Sequence, residues 1–81
     1  MKIAVRLFAR ARDLAGGPTV FVELPDRATA ADLRGALLRE KPLLQPLASS
    51  LLIAINGEYA TDGTAISESD EIAVFPPVSG G

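Results

Sequence analysis

Three segments of the chain alternate between apolar and polar residues: residues 2–8 (KIAVRLF), residues 19–24 (TVFVEL) and residues 71–75 (EIAVF). Alternation with a period of two is typical of β-strands that bury one side. The predicted buried side consists of Ile3, Val5, Leu7, Val20, Val22, Leu24, Ile72 and Val74. We therefore predict three strands that share one core.

Between these strands the pattern becomes helical. Thr29 is a good N-cap residue, Asp32 places a carboxylate in the first turn, and Ala30, Leu33 and Leu37 recur at helical spacing. This main helix should end at Pro42. A shorter helical turn is predicted within residues 9–18, ended by Gly16-Gly17.

After the main helix, residues 42–50 (PLLQPLASS) contain two prolines, which favour a short, bent connection over a long helix. This connection should pack Leu43, Leu44 or Leu47 against the core. Residues 51–55 (LLIAI) predict another strand.

Asn56-Gly57 follows that strand and is a strong hairpin signal, because both central residues of a type I′ turn need positive φ. A short edge strand should follow, with further turns at Asp62-Gly63 and Ser69-Asp70.

This order of elements predicts an α+β chain with the β-grasp, or ubiquitin-like, fold. We expect a mixed sheet of about five strands with one main helix on one face, because the helix supplies the crossover that lets the last strand lie parallel beside the first. Residues 1–75 would form the domain, and residues 76–81 a protruding, extended tail.

The three phenylalanines of the chain, Phe8, Phe21 and Phe75, fall on the polar side of their strands. In a β-grasp sheet these strands are neighbours, so the rings are expected to form a contiguous exposed patch near Arg6. Exposed apolar patches usually mark a partner interface. The alternative is that twist at the strand ends turns Phe8 and Phe75 inward while Phe21 covers an edge.

The amino-acid composition of the chain excludes several classes of function. The chain has 81 residues, 48% apolar and 22% charged, as expected for one globular domain. It contains no Cys and no His, which removes thiol nucleophiles, imidazole bases and most zinc or copper ligation, so no metal site is predicted.

Since Arg6 interrupts the first apolar run, we expect neither a signal peptide nor a membrane span, and a cytoplasmic location.

Charge is distributed unevenly along the chain. Residues 1–41 carry all eight Lys and Arg with five acids, a net of +3, whereas residues 42–81 carry five acids and no base, a net of −5. This asymmetry is compatible with a charged docking face or with ordinary solvated surface. Nucleic acid is not an expected partner, because the chain as a whole is acidic.

The C-terminal segment FPPVSGG, residues 75–81, has a composition suited to chemistry at a chain end. Pro76-Pro77 restricts φ and directs the tail away from the sheet, and glycine lets backbone enter a narrow channel. A carboxylate becomes an acyl donor once it has attacked the α-phosphate of ATP. A frayed end is the alternative for two glycines considered alone.

The tail FPPVSGG, the preceding SDEIAV and the N-terminal RLFARARDLAG together closely resemble the small subunits of molybdopterin synthase, a family of ubiquitin-like sulfur carriers. The resemblance covers essentially the whole chain, and the tail is its most specific part. Ser69 departs from the glycine that often precedes the acidic pair in that family, and residues 43–50 are variable.

The resemblance implies that an E1-like activating enzyme uses ATP to adenylate Gly81, and that a sulfur donor system then converts it to a thiocarboxylate. Gly80 would clear the channel of the large subunit, whose pocket would build the dithiolene of molybdopterin from cyclic pyranopterin monophosphate. No cofactor would be bound by this chain itself. The functional complex would be a heterotetramer with two small subunits.

The same resemblance assigns partner-binding roles along the chain. Phe8 and Phe75 match the family's docking surface and Arg12 matches the arginine of an R-[DE]-L segment, whereas Phe21 and Arg6 rest on the strand pattern alone. The full predicted partner surface is Arg6, Phe8, Arg12, Phe21, Phe75, Pro76, Pro77, Val78 and Ser79.

Three other functions remain open at this point. The chain would also suit a sulfur carrier for thiamine biosynthesis or tRNA thiolation, a ubiquitin-like interaction module with an inert tail, or a protein modifier that forms isopeptide bonds.

Overall fold

The computed structural model describes residues 1–77 of the chain. The elements in chain order are β1 (Lys2–Leu7), α1 (Ala9–Ala15), β2 (Thr19–Glu23), α2 (Ala30–Glu40), a 3₁₀ helix (Pro42–Leu47), β3 (Leu52–Ile55), β4 (Glu58–Tyr59) and β5 (Ile72–Phe75). Val78, Ser79, Gly80 and Gly81, the distal part of the predicted tail, lie outside the described residues.

Within residues 1–77 the strands form one mixed sheet in the order β2-β1-β5-β3-β4. The central pair, β1 and β5, is parallel, with Val5 opposite Ile72 and Leu7 opposite Val74. The neighbouring pairs are antiparallel. The predicted β-grasp topology is therefore confirmed, including the return of the last strand to the middle of the sheet.

The alternating pattern determines which face of the sheet is buried. Every second residue of β1 is buried, and the same holds for β2. These side chains form one core with the apolar face of α2, where Leu33 and Leu37 are fully buried. All eight strand residues predicted to face the core are buried.

The ends of both α-helices follow the local sequence. Thr29 and Asp32 form a capping box at the start of α2, in which the Thr29 side chain accepts from the Asp32 backbone N–H and the Asp32 carboxylate accepts from the Thr29 backbone N–H. α2 ends at Glu40, just before Pro42. Gly16 ends α1 at a φ of 83°, a left-handed conformation that favours glycine.

The bent connection after α2 is a 3₁₀ helix that buries Leu44 fully, whereas Leu43 is 69% exposed. Arg34 of α2 fastens the end of this connection. Its Nη1 donates to the carbonyl oxygens of Ala48 (2.9 Å) and Leu51 (2.7 Å), and its Nη2 lies 3.9 Å from the Asp62 carboxylate. One guanidinium thus ties α2 to the start of β3.

Asn56 and Gly57 both take positive φ, 52° and 84°, as the predicted turn requires. The Asn56 side chain also reaches the chain just before β5: its Oδ1 accepts from the Glu71 N–H, and its Nδ2 donates to the Asp70 carboxylate. The second oxygen of Asp70 accepts from the Ser67 N–H at 2.8 Å. These bonds form a clamp that holds the β3–β4 turn against the start of β5.

One predicted turn and four predicted strand ends were wrong by one residue. β2 ends at Glu23 rather than Leu24, and β3 and β5 begin one residue later than predicted, at Leu52 and Ile72. β1 ends at Leu7, because Ala9 takes a φ of 53° and turns the chain from Phe8 into α1. The last turn is centred on Glu68-Ser69 rather than on Ser69-Asp70, because the Asp70 N–H donates to the Ser67 carbonyl and closes the turn.

We predict that Arg34→Met lowers the free energy of unfolding by about 1–3 kcal/mol, because two carbonyl oxygens lose a charged donor. Urea unfolding should be compared with that of Arg39→Met, an exposed arginine of the same helix. Equal effects of the two substitutions would show that the Arg34 hydrogen bonds add no stability.

The hydrogen bonds to Asp70 predict a dependence of stability on pH. The Ser67 N–H and, to a lesser extent, the Asn56 amide lower the pKa of Asp70 from its ordinary value of 3.8. A lowered pKa in the folded state means that the ionised carboxylate stabilises the fold above pH 3.8, and that this contribution is lost as the pH falls through the lowered pKa.

Asp70→Ala should therefore destabilise the protein at pH 7, and the difference in unfolding free energy from the unmodified protein should shrink at acidic pH. Asp26→Ala, an exposed acid in the β2–α2 turn, is the matched control. A difference in unfolding free energy that stays constant from pH 7 to acidic pH would refute the stabilising role of the ionised Asp70 carboxylate.

Candidate functional site

The face of the sheet opposite α2 is not covered by a helix of the described chain. We call it the open face. The registers place eleven residues on it: Lys2, Ala4, Arg6, Thr19, Phe21, Glu23, Leu52, Ala54, Tyr59, Ala73 and Phe75. β5 ends on this face at Phe75 and leads directly to Pro76, so this end of the open face adjoins the start of the tail.

Phe8 and Phe75 form a stacked pair at that end of the open face. Their ring centroids are 4.7 Å apart and their planes differ by 13°. The Phe8 backbone N–H donates to the Val74 carbonyl, which holds the residue beside β5 although it lies beyond the end of β1. Both rings are half-buried, so each presents apolar surface while being fixed by its neighbour.

A shallow depression of about 320 Å³ lies beside this pair. Phe8, Phe75 and Tyr59 line it together with the small residues Ala54 and Ala73. Alternation of small and large side chains leaves space that an apolar side chain of a partner can fill, the usual arrangement of an interface anchor.

Arg6 adds one cation to this largely apolar site. Its guanidinium carbon is 5.7 Å from the centroid of the Phe8 ring, within the range of a cation–π interaction. Arg6 also lines the depression, with Glu71 among the other lining residues. The site therefore combines an apolar centre with a charged rim, as protein interfaces do.

Phe21 lies elsewhere on the open face. It is opposite Ala4 in the β1–β2 register and is 56% exposed, and the Lys2 ammonium sits 5.0 Å from its ring centroid. None of the three rings is fully buried: Phe8 and Phe75 are half-buried and Phe21 is exposed. The predicted contiguous patch, however, divides into the stacked pair and a separate ring, because Phe21 and Phe8 occupy different levels of the sheet.

The remaining predicted partner-binding residues lie around the stacked pair or beyond it. Arg12 is exposed on α1, where its Nε is 3.8 Å from the Asp13 carboxylate. Pro76 is half-buried and Pro77 is exposed. The predicted roles of Val78, Ser79, Gly80 and Gly81 concern residues outside the described range.

Tyr59 and Leu52 belong to the open face but were missed at the sequence level. Tyr59 is 72% exposed and lies opposite Ala54, and Leu52 lies opposite Phe75. The sequence contains the information needed to place Tyr59 on the open face, because the Asn56-Gly57 turn fixes the register of the hairpin and with it the face on which Tyr59 lies.

Residues 1–77 show no group of three or more metal-ligating side chains placed to hold an ion. In the same range, neither α-helix has the length and apolar character needed to cross a bilayer. The stacked pair and its depression give the open face the composition of a binding surface.

Comparison with known proteins agrees with this architecture. The chain is 38% identical to the molybdopterin synthase sulfur carrier subunit of Arabidopsis thaliana, over all of this chain and 84% of the relative. It superposes on SAMP1, a small archaeal modifier protein of Haloferax volcanii, with a TM-score of 0.87 and 35% identity, over the full length of both chains.

A complex of subunits 1 and 2 of the molybdopterin-converting factor from Helicobacter pylori also contains a similar chain, with a TM-score of 0.68 and 27% identity over the full length of both. The sequence profile of the ThiS family matches residues 5–81. On the fold, the full-length likeness and this match, the chain belongs to the ThiS family.

Proposed function

We propose that this chain is the sulfur carrier subunit of a molybdopterin synthase, and that its Gly81 carboxylate carries the sulfur as a thiocarboxylate. The observation that carries the proposal is the stacked Phe8–Phe75 pair, an apolar docking site placed directly before Pro76-Pro77. Full-length likeness to the Arabidopsis sulfur carrier subunit supports the same assignment.

Two steps would load the carrier. A Gly81 carboxylate oxygen attacks the α-phosphorus of ATP on an activating enzyme, pyrophosphate leaves, and an acyl-adenylate forms. A sulfide donor then attacks the carbonyl carbon and forms a C–S bond, the C–O bond to the adenylate breaks, and AMP leaves with that oxygen, so that a thiocarboxylate remains. The carrier supplies the acyl group, whereas the catalytic groups belong to its partners.

The loaded carrier would dock on the large subunit through the stacked pair and the adjoining depression of the open face, and place its tail in that subunit's pocket. There the sulfur would enter the dithiolene of molybdopterin, made from cyclic pyranopterin monophosphate within a heterotetramer. The solved complex of subunits 1 and 2 from Helicobacter pylori supports this partner. An apolar site with one cation at its rim suits such docking, because its rings are held in place before binding.

The likeness to SAMP1 favours a second candidate, a protein modifier joined through Gly81 to lysine amines. Both candidates begin with the same adenylation and differ in the acceptor, which is sulfur in one and an amine in the other. A carrier for thiamine biosynthesis or tRNA thiolation shares the loading steps and differs only in the enzyme that receives the sulfur.

We predict that incubation with the cognate activating enzyme, ATP and a sulfur donor raises the intact mass by about 16 Da, since sulfur replaces one oxygen. Deletion of Gly81 should abolish this gain and leave the unfolding transition unchanged. An unchanged mass in a system whose activating enzyme is shown to form AMP would refute the carrier function. Covalent addition of the chain to other proteins in its place would favour the modifier.

The docking role of the stacked pair predicts a selective loss of affinity. Phe75→Ser should weaken binding to the cognate large subunit at least about 30-fold, the effect expected of a central interface anchor. Phe21→Ser, on the same face but away from the pair, should change affinity less than about threefold. Calorimetric titration measures both, with circular dichroism confirming that each variant is folded.

If the two variants weaken binding equally, docking does not centre on the stacked pair. If both bind normally while loading and sulfur transfer proceed, the open face is not the docking surface and the carrier uses another one.

A further inference from the structure

The two edges of the sheet differ in how they are protected against pairing with another strand. β4, at one edge, has two residues, and such short edge strands offer little backbone to pair with. β2, at the other edge, has five residues, and no strand within residues 1–77 pairs with its outer side. The longer edge is therefore the one available to a partner.

β2 lacks the features that usually block an exposed edge. Its five residues pair with β1 in unbroken register, without a bulge, and the prolines at positions 18 and 25 lie outside the strand. Its one charged residue, Glu23, is the last. A large aromatic ring, Phe21, stands at the middle of the edge and is 56% exposed.

Near Phe21, the Glu23 carboxylate forms no ion pair with another described residue. Lys2 lies opposite Glu23 in the register, yet its ammonium sits over the Phe21 ring. Ala4, directly opposite Phe21, is too small to cover the ring. The outer edge of β2 thus presents an apolar centre with a free carboxylate two residues away.

We propose that the outer edge of β2 binds an extended segment of a partner protein as an added β-strand. The segment carries an apolar residue opposite Phe21 and a lysine or arginine opposite Glu23. Backbone hydrogen bonds supply affinity in this type of recognition, and alternate side chains supply specificity. Opposite charges directly across a strand pair stabilise it, whereas like charges destabilise it.

A second copy of this chain fits the edge less well. Antiparallel pairing about Phe21 would place each Glu23 opposite Thr19 of the other copy and leave both carboxylates without a cation. Charge therefore favours a basic, extended segment over self-association.

The proposed edge site is separate from the docking site of the proposed function. Phe21 is level with Ala4, four residues before Phe8, or about 13 Å along the sheet at 3.3 Å per residue. A protein held at β2 can therefore remain bound while the stacked pair and the tail engage an enzyme.

The test is an NMR titration of the full-length chain, labelled with ¹⁵N, with a seven-residue peptide. The peptide sequence is Thr-Lys-Val-Ile-Val-Lys-Thr with both ends blocked. Because this sequence is a palindrome, the peptide fits the edge in either orientation. Amide shifts should concentrate at residues 19–23, and Phe21→Thr should weaken binding. The same peptide with both lysines replaced by glutamate should bind about fivefold more weakly.

Charge reversal makes the test specific. Glu23→Lys should invert the preference, so that the glutamate peptide binds more tightly than the lysine peptide. A lysine peptide with N-methylated backbone amides should not bind, because it cannot pair with an edge. Phe75→Ser should leave peptide affinity unchanged, which separates this proposal from the docking of the large subunit.

Four outcomes would overturn the proposal: no shifts at millimolar peptide, shifts centred on Phe8 and Phe75, equal binding of the N-methylated peptide, or no inversion with Glu23→Lys. Amide shifts in β2 that depend on protein concentration without peptide would instead identify a second copy of the chain as the occupant.

Discussion

The parallel pairing of β1 with β5 is the interaction on which the rest of the structure depends. It joins residues about 70 positions apart in the chain, and it lies at the centre of the sheet with both partners buried on the core side. Parallel neighbours need a crossover, and the segment containing α2 supplies it. The same pairing brings Phe8, just past the end of β1, beside Phe75, at the end of β5. The core of the fold and the candidate docking site are thus consequences of one register.

The two faces of the sheet have different roles, because one is packed in the core and the other is open to binding partners. On the core side, branched residues of the strands are buried in one cluster with Leu33 and Leu37 of α2. On the open face, alanines at positions 4, 54 and 73 alternate with large or charged residues. Small residues there leave space that the chain itself does not fill. Since the apolar core lies on the other side of the sheet, side chains on the open face are available for contact with partners.

Much of this arrangement follows from local sequence. Alternation in β1, β2 and β5 identifies the buried face, the capping residues define α2, and Asn56-Gly57 defines a hairpin, because in each case neighbouring residues decide the conformation. The separation of Phe21 from the stacked pair depends instead on the register between strands, which alternation alone does not provide. Leu44 is buried and Leu43 exposed for a similar reason, because the side of the 3₁₀ helix that is buried depends on its packing against α1 and α2, which lie elsewhere in the sequence. The turn at Glu68-Ser69 is closed by the Asp70 N–H, which donates to the Ser67 carbonyl, while the Asp70 carboxylate accepts from the side chain of Asn56.

A carrier whose reactive group is a terminal carboxylate places an unusual demand on its surface. Its own side chains do not perform the chemistry, and in the proposed cycle the same face must be recognised first by an activating enzyme and then by a large subunit. Affinity for either enzyme must therefore be moderate, because a complex too stable with one would prevent transfer to the next. A compact apolar site with preformed rings meets this requirement, since it binds quickly at little entropic cost and covers a small area. The proposed contact at the edge of β2 is centred on Phe21, level with Ala4 and four residues along the sheet from Phe8, and would leave the stacked pair free for either enzyme. The geometry of the sheet thus allows the carrier to exchange partners at one site while it is retained at another.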